Sequence, residues 1–402
     1  MIYTQDVWCL KSNVNLFTIM KKILNVVSVY FSVPFFFGDQ IGHFINKGYD
    51  VHLACSPSEK LAEYAKKQGC KAFEVDLPRQ VKPWTDIKSL VKLYKYIKRE
   101  KFDVVCGHTF KGGVQALIAS YLARTPQRVY FRHGTLFETA HGIKRFILIL
   151  IERFISKLST KVVCVSPFLV ELSTDLRLTR PEKLVLLNHG SCNGIDASKL
   201  YNPKHIDKSK LIRLREQYHL QDTDRVIGFV GRLVIDKGIV ELVNAFEELK
   251  NKYKNIKLLL VGPFERRNAV PHATKDVIEK DNDILFVGEV DSTETPYYYS
   301  LMDVMVLCTH REGFGSVIIE AQAMEVPVLT TSHTGSRDAI CENETGMYVI
   351  KGDSSSIVNQ LSRYFDEPEL LQQHKNNCRG FVISNFSPQL VWKDIESKIY
   401  NT

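Results

Sequence analysis

Residues 303–331 read DVMVLCTHREGFGSVIIEAQAMEVPVLTT. The stretch opens and closes on apolar runs of strand length, and SVIIEAQAM between them has the make-up of a helix. Strand, turn, helix and strand in such close succession make a βαβ unit, whose two strands lie parallel in a sheet covered on both faces. Glu312 and Glu320 stand eight apart around the turn. Glu312 falls at the carboxyl end of the first strand, where open α/β sheets bind their ligands. Gly313 and Gly315, on either side of Phe314, let the backbone turn tightly and approach a ligand. The free N–H groups near Gly315, Ser316 and Val317 at the helix start are a ready anion site. Glu320 lies one turn deeper, on the face of Ser316. Two solvated carboxylates, one in a loop and one favouring the helix dipole, are the plain alternative. As a pair they suit one ligand, with a diphosphate at the helix mouth, Glu320 near an attached ribose and Glu312 near the group on the far phosphate.

The same alternation runs through the chain. Strands are predicted at 23–29, 50–55, 71–75, 103–107, 128–132, 161–166 and 183–188, then at 225–231, 256–262, 283–288, 303–309 and 326–331, with amphipathic helices between them. At 402 residues the chain is too long for one ordinary core. The expected fold is therefore α/β, two doubly wound parallel-sheet Rossmann-like domains facing each other across a cleft. The polar, turn-rich segment near 190–210 marks the join. The expected division is 20–195, 196–385 and a C-terminal helix over 386–402, whose return to the first domain is left open. Residues 1–19 read as a poorly ordered extension, since Met20 followed by two lysines and an apolar strand resembles a natural start.

Nine cysteines are scattered without a CxxC or zinc spacing, which suits reduced, mostly buried thiols of a cytoplasmic protein. The net charge of +8 is uneven. Residues 1–200 carry 29 Lys+Arg against 16 Asp+Glu, or +13, and residues 201–402 carry 24 against 29, or −5. The first half is thus the side to meet an anionic partner. No nucleic-acid motif accompanies it, so nucleic acid is not an expected partner. No segment has the length of a membrane-spanning helix.

A second site lies in GFVGRLVIDKGIVELVNAF (228–246). Gly231-Arg232 end a strand, and Lys237-Gly238 open a helix. An Arg and a Lys there can neutralise a diphosphate without a metal. GRLxxxKG, followed about eighty residues on by EGFGxxxxE, resembles the family 4 glycosyltransferases, retaining enzymes of the GT-B fold. The resemblance covers essentially residues 20–395. It implies that Arg232 and Lys237 bind the donor diphosphate, that Glu320 holds the ribose and that Glu312 contacts the transferred sugar near its anomeric centre. It also implies that Val287 and Gly288, opening VGEV (287–290), face the base, and that Gly313–Ser316 give amides to the phosphates or sugar.

The first domain would carry the acceptor. DVVCGHTFKGG (103–113) places His108 and Thr109 at a strand end and Lys111-Gly112-Gly113 at a helix start, a second helix-mouth anion site suited to an acceptor phosphate. A tight strand–helix turn would explain the same residues. His133-Gly134 stand at another strand end, where the resemblance puts a histidine beside the donor sugar; a lone buried histidine is the alternative. Asn193-Gly194 resemble the family's segment lining the cleft near the domain junction. The first loop departs from the family, having Gly38 and Gly42 but no Gly-Gly pair, and its run Phe35-Phe36-Phe37 suits either packing or an apolar acceptor. The stretch 82–101 is a basic helix with apolar residues and 141–161 is strongly apolar with basic ends, as a sheet-packed helix or a membrane-resting one would be. With the basic first half, the expectation is a cytoplasmic protein held peripherally on an anionic membrane surface.

The resemblance thus implies a retaining, metal-independent glycosyltransferase needing no cofactor, with a nucleotide-diphosphate sugar as co-substrate, UDP preferred over GDP. The expected acceptor is a polyprenyl-diphosphate-linked saccharide at the inner face of a bacterial membrane, in capsule, exopolysaccharide or O-antigen assembly. Two alternatives share the architecture: a sugar-nucleotide epimerase, and a non-catalytic sugar-nucleotide-binding protein.

Overall fold

The computed structural model describes residues 21–78 and 80–401. The proposed 1–19 extension lies outside them. Among the described residues thirteen strands form two sheets. The first holds β1 (Lys22–Val26), β2 (Asp50–Cys55), β3 (Lys71–Glu74), β4 (Val104–His108), β5 (Gln127–Arg132), β6 (Lys161–Cys164) and β7 (Leu184–Leu186). The second holds β8 (Arg225–Val230), β9 (Ile256–Val261), β10 (Ile284–Gly288), β11 (Val304–Leu307), β12 (Val328–Thr331) and β13 (Gly346–Val349). Their orders are β3-β2-β1-β4-β5-β6-β7 and β10-β9-β8-β11-β12-β13, with every pair parallel.

The central strands are largely apolar because helices cover both faces; Val104–Cys106 and Val304–Leu307 are wholly buried. The order reverses between β1 and β4 and again between β8 and β11. At such a reversal the helices depart to opposite faces and leave a crevice at the carboxyl ends. Glu312 follows β11, Arg232 follows β8, and His108 ends β4. Strand β13 was not predicted, since the four residues GMYV are too short to stand out as an apolar run. Cys55, Cys106, Cys164, Cys192, Cys308 and Cys378 are buried thiols, and burial pushes those of Cys55 and Cys192 up to about 12.

The chain passes between the domains twice, at neighbouring points. Ile195 N donates to the Phe386 carbonyl at 2.9 Å. Gly194, with φ +74°, lies so close that a Cβ there would stand 2.5 Å from the same oxygen. Beyond Phe386 the helix Pro388–Ile395 and a last wide turn, Glu396–Tyr400, pack on the first domain. Trp392 lies 4.7 Å from the His43 ring, Asp394 accepts from Asn188 N at 2.7 Å, and Tyr400 meets Phe44 edge-on at 4.9 Å. Val391, Ile395, Ile399 and Tyr400 are all buried.

This tail therefore acts as part of the first domain's core. Tyr400→Ala should lower stability to urea by about 3–5 kcal/mol, the usual cost of emptying a buried aromatic site. A change below about 1 kcal/mol would mean that the tail is not integral to that core.

Candidate active site in the interdomain cleft

The second domain's wall is built on three short segments. After β8, the turn Ile235–Lys237 ends on Gly238 at φ +73°, where a Cβ would lie 2.2 Å from the Cys308 carbonyl oxygen. Only glycine fits there, and it fixes Lys237 beside the loop that follows β11. Lys237 Nζ accordingly forms an ion pair with Glu312 Oε2, both side chains half-buried. Glu312 Oε1 also accepts from Gly313 N at 3.2 Å. The loop is held from below: Thr309 Oγ1 donates to the Asp236 carbonyl at 2.9 Å, and Thr331 Oγ1 to the Thr309 carbonyl at 2.8 Å. His310 pairs with Glu241 at 2.8 Å, which keeps that carboxyl below its ordinary range despite burial. Gly231-Arg232 follow the end of β8, and Arg232 pairs with Glu265 at 2.6 Å. Val287 and Gly288 end β10, where the Gly288 carbonyl accepts from Gly262 N at 2.7 Å.

Gly315, at φ +85°, precedes the helix Ser316–Ala323, whose first turn opens beside Glu312. Glu320 lies on that helix, buried, with Oε2 accepting from Tyr299 Oη at 2.9 Å. Burial pushes its carboxyl up to about 7, while hydrogen bonds from Tyr299 and Tyr201 pull the other way. Of the Gly313–Ser316 segment, Phe314 points its ring away from the helix mouth, packing at 5.2 Å from Phe386 beside Gly190. Any contact that Phe314 makes with a ligand is thus left to its backbone.

The first domain faces this wall with two histidines. In the β4–β5 register His108 neighbours Phe131, so His133 follows two residues further along the same side. His108 Nδ1 stands 3.1 Å from His133 Nε2, and His108 Nε2 stands 3.1 Å from Asn25 Oδ1. The Asn25 side chain lies beside the Tyr400 hydroxyl. Burial holds His133 down at about 3 and His108 well below its ordinary value, so both are neutral. The Asn25 oxygen can only accept, which puts the His108 proton on Nε2. His108 Nδ1 then accepts from His133 Nε2–H, and His133 Nδ1 keeps a free lone pair. Phe36 stacks on the His133 ring at 3.8 Å, while Phe37 is buried in the core and Phe35 is exposed.

Other expected acceptor residues are occupied within the protein. His108 is buried and bonded on both nitrogens. Lys111 Nζ is paired with Asp86 at 2.7 Å. Cβ atoms on Gly112 and Gly113 would meet the Val26 carbonyl at 3.0 Å and the Tyr130 ring at 2.5 Å, so close helix–sheet packing accounts for both glycines. Asn193 Oδ1 accepts from Trp392 Nε1 at 2.9 Å and lies 3.4 Å from Gln40 Nε2, bracing the domain junction. Thr109 bonds to Ser28 Oγ at 3.0 Å and adopts φ +64°. That strained geometry for a β-branched residue sits directly at the helix start.

The two walls touch through backbone. A Cβ on Gly313 would lie 2.0 Å from the His133 carbonyl oxygen, and one on Gly335 would lie 2.0 Å from the Gly313 oxygen. Arg311 also spans the cleft, with Asp236 at 3.2 Å and Thr139 Oγ1 at 3.4 Å. Sequence reasoning passed over Arg311 because a lone arginine beside Glu312 carried no spacing signal. It passed over Tyr201 and Tyr299 because they lie far from Glu320 in sequence. Among the described residues, no cluster of three or more His, Cys, Asp or Glu side chains is placed to hold a metal ion.

Two doubly wound parallel-sheet domains thus meet with their strand ends, and the cationic and carboxylate groups there, facing one cleft. Residues 212–381 match the family of glycosyl transferases group 1, and residues 28–166 match the glycosyl transferase 4-like family. The chain is 34% identical over 383 residues to the capsular polysaccharide biosynthesis glycosyltransferase CapM of Staphylococcus aureus, covering 95% of this chain and 97% of that one. It is 26% identical to the UDP-Gal:alpha-D-GlcNAc-diphosphoundecaprenol alpha-1,3-galactosyltransferase of Escherichia coli, over 85% of this chain and 86% of that one. The structure of Anabaena Alr3699/HepE, solved in complex with UDP-glucose, superposes with a TM-score of 0.77 at 18% identity over 95% of this chain and all of that one. The chain belongs to the family of group 1, 4-like glycosyltransferases and has their GT-B fold.

Glu320 gives a pH signature. An acid whose folded pKa lies above its ordinary 4.5 binds more protons folded than unfolded between the two values. Its contribution to stability is therefore lost as pH rises from about 4.5 to about 7. Glu320→Gln keeps the shape and removes the charge. It should stabilise the protein near pH 8 relative to the wild type, by up to about 3 kcal/mol, and leave stability near pH 5 almost unchanged. Equal effects at both pH values in thermal unfolding would overturn this assignment.

Proposed function

We propose that this glycosyltransferase works with retention of anomeric configuration and without a metal ion. Its donor is a uridine diphosphate sugar, and its acceptor is a polyprenyl-diphosphate-linked saccharide in surface-polysaccharide assembly. The observation that carries the reading is the Lys237–Glu312 pair at the mouth of the helix Ser316–Ala323. A cation, a carboxylate and free helix amides meet within one turn, opposite a neutral histidine. The names of the Escherichia coli and Staphylococcus aureus relatives support the choice of donor, acceptor and process.

In this reading the diphosphate lies across the helix mouth, with Arg232 and Lys237 on its oxygens. As the bond from the anomeric carbon to the phosphate oxygen breaks, negative charge grows there, and fixed cations and amides stabilise it without reorganising. The acceptor oxygen attacks the same face of the sugar, and its proton passes to the departing diphosphate. The nucleotide diphosphate leaves, and the new glycosidic bond keeps the donor's configuration. A diphosphate competes with Glu312 for Lys237. That competition frees the carboxylate to accept a hydroxyl proton from the transferred sugar. His133 Nδ1, with its lone pair, is a second acceptor for a sugar hydroxyl. Glu320 receives ribose hydroxyls beside Tyr299, and cleft closure keeps water from the donor.

A panel of nucleotide sugars with a short-chain polyprenyl-diphosphate-sugar acceptor tests the proposal. One uridine donor should give an acceptor mass increase of one sugar with retained configuration by NMR, unaffected by a chelator. Nucleotide release with no product from any donor would sink it. Within that assay, Glu312→Ala should lower kcat by about 10²-fold or more with donor affinity little changed, whereas Glu320→Ala should mainly weaken donor binding. The reverse split would exchange the two roles.

A further inference from the structure

The helices Pro83–Glu100, Phe110–Leu122 and Gly142–Leu158 pack side by side on one face of the first sheet. The last of them was expected to be apolar with basic ends, and the structure shows which side is inward. Ile149, Glu152, Ile155 and Ser156 are buried. Ile143, Phe146, Ile147, Leu150 and Phe154 are exposed, Ile143 by 79% and Phe146 by 59%. Their spacing of i, i+3, i+4, i+7 and i+11 makes a single apolar stripe facing outward. Trp84, exposed by 80%, with Ile87 and Val91, adds a second apolar strip on the first helix, and Tyr121 and Leu122 are exposed at the end of the middle one. Scattered exposed apolar residues are ordinary, but a stripe of five along one face of a helix is not.

The charges of this layer have one sign at its surface. Lys88, Lys92, Lys95 and Lys98 are exposed on the first helix, and Lys144, Arg145, Arg153 and Lys157 on the last. The acidic residues of the three helices are used inward or sideways. Asp86 is paired with Lys111, Glu100 with Lys22, and Glu152 is buried against Arg132 at 3.1 Å. Outward-facing apolar side chains flanked on their own helices by exposed cations complement an anionic bilayer, which supplies both an apolar interior and a negative surface. A protein partner of ordinary composition would meet no acidic complement here.

We infer that this three-helix layer rests on an anionic lipid surface, with the stripe from Ile143 to Phe154 entering the headgroup region. The inference rests on the proposed lipid-linked acceptor and names the surface that brings the enzyme to it. The first turns of the outer two helices follow the carboxyl ends of β3 and β5, the latter the strand that leads to His133. A bilayer on this layer therefore borders the first domain's side of the cleft, and the acceptor's diphosphate enters without leaving the headgroup zone. Among the described residues no helix is long and apolar enough to cross a membrane, so the contact is made by a face.

Flotation of the full chain with vesicles tests this. Wild type should bind phosphatidylglycerol–phosphatidylcholine vesicles and bind phosphatidylcholine alone at least about tenfold more weakly. Combined Phe146→Ser, Leu150→Ser and Phe154→Ser should lose about tenfold or more in binding to the mixed vesicles. Lys88→Gln, Lys92→Gln, Lys95→Gln and Lys98→Gln together should lose the preference for anionic lipid. Ile212→Ser, an exposed apolar position in the second domain, should change nothing. All variants should turn over a water-soluble short-chain acceptor at the wild-type rate. Vesicle binding that the stripe variant leaves intact, or its absence in the wild type, would overturn the inference while transfer to the soluble acceptor still stands. A concentration-dependent dimer in sedimentation, abolished by the stripe variant without any vesicle binding, would assign the face to a second copy instead. Loss of transfer to the soluble acceptor in the wild type itself would be a failure of the functional proposal, and flotation would still read the surface separately.

Discussion

Backbone meets backbone where the two domains touch. Gly313 lies against the His133 carbonyl and Gly134, and Gly335 lies against Gly313 from behind. Three segments stack here without a side chain between them. Gly335 N closes the stack by donating to the Glu312 carbonyl at 2.9 Å. The strand ends of both sheets are thereby brought as near as main chains can approach. Every functional group of the cleft takes its position from that contact: Glu312 precedes Gly313, the helix mouth follows it, and His133 stands opposite. A single methyl group at Gly313 would part the walls, because its contact atoms are carbonyl and amide rather than movable side chains.

The chemistry of the cleft follows from how little water reaches these groups. His133 and His108 stay neutral because burial penalises their charged forms, and the Asn25 oxygen decides where the one proton between them sits. Glu320 is driven toward its neutral form by the same penalty, and two tyrosine hydroxyls reduce it only in part. Lys237 and Glu312 form an ion pair, both half-buried. The wall thus holds one neutral hydrogen-bonding group, one buried carboxyl and one ion pair. These are different electrostatic states produced by different depths in one crevice.

Much of this could be read from the sequence, for a definable reason. Parallel strands covered on both faces are largely apolar, so twelve of the thirteen among the described residues stood out, and their carboxyl ends located Arg232, Lys237, Glu312 and Glu320 near one crevice. Glycines with positive φ beside those residues, Gly238 and Gly315, carried the turn geometry in their identity. What the sequence hid depends on pairing between distant segments. The contact of His108 with His133 comes from the β4–β5 register, Asn193 is claimed by Trp392 from the tail, and Lys111 is claimed by Asp86 from a neighbouring helix. The helix over 142–158 hid its outward stripe differently. Its apolar residues surround most of the axis, so periodicity alone could not say which side the sheet would take.

The tail joins these features into one mechanical unit. Both chain crossings between the domains lie at Gly194 and Phe386, close enough that a Cβ would not fit between them. Any relative rotation of the domains must pivot there. From that pivot the tail runs back over the first domain and ends with Tyr400 beside Asn25, the residue that orients His108 and through it His133. The histidine facing the second domain is thus oriented by Asn25, beside which the tail that follows the pivot packs. Covalent continuity ties the orientation of the first wall to the point about which the second wall turns. A rotation there changes the width of the cleft at Gly313 while Tyr400, Asn25 and His108 move together with the first sheet, so opening and closing leave the His133 tautomer unchanged.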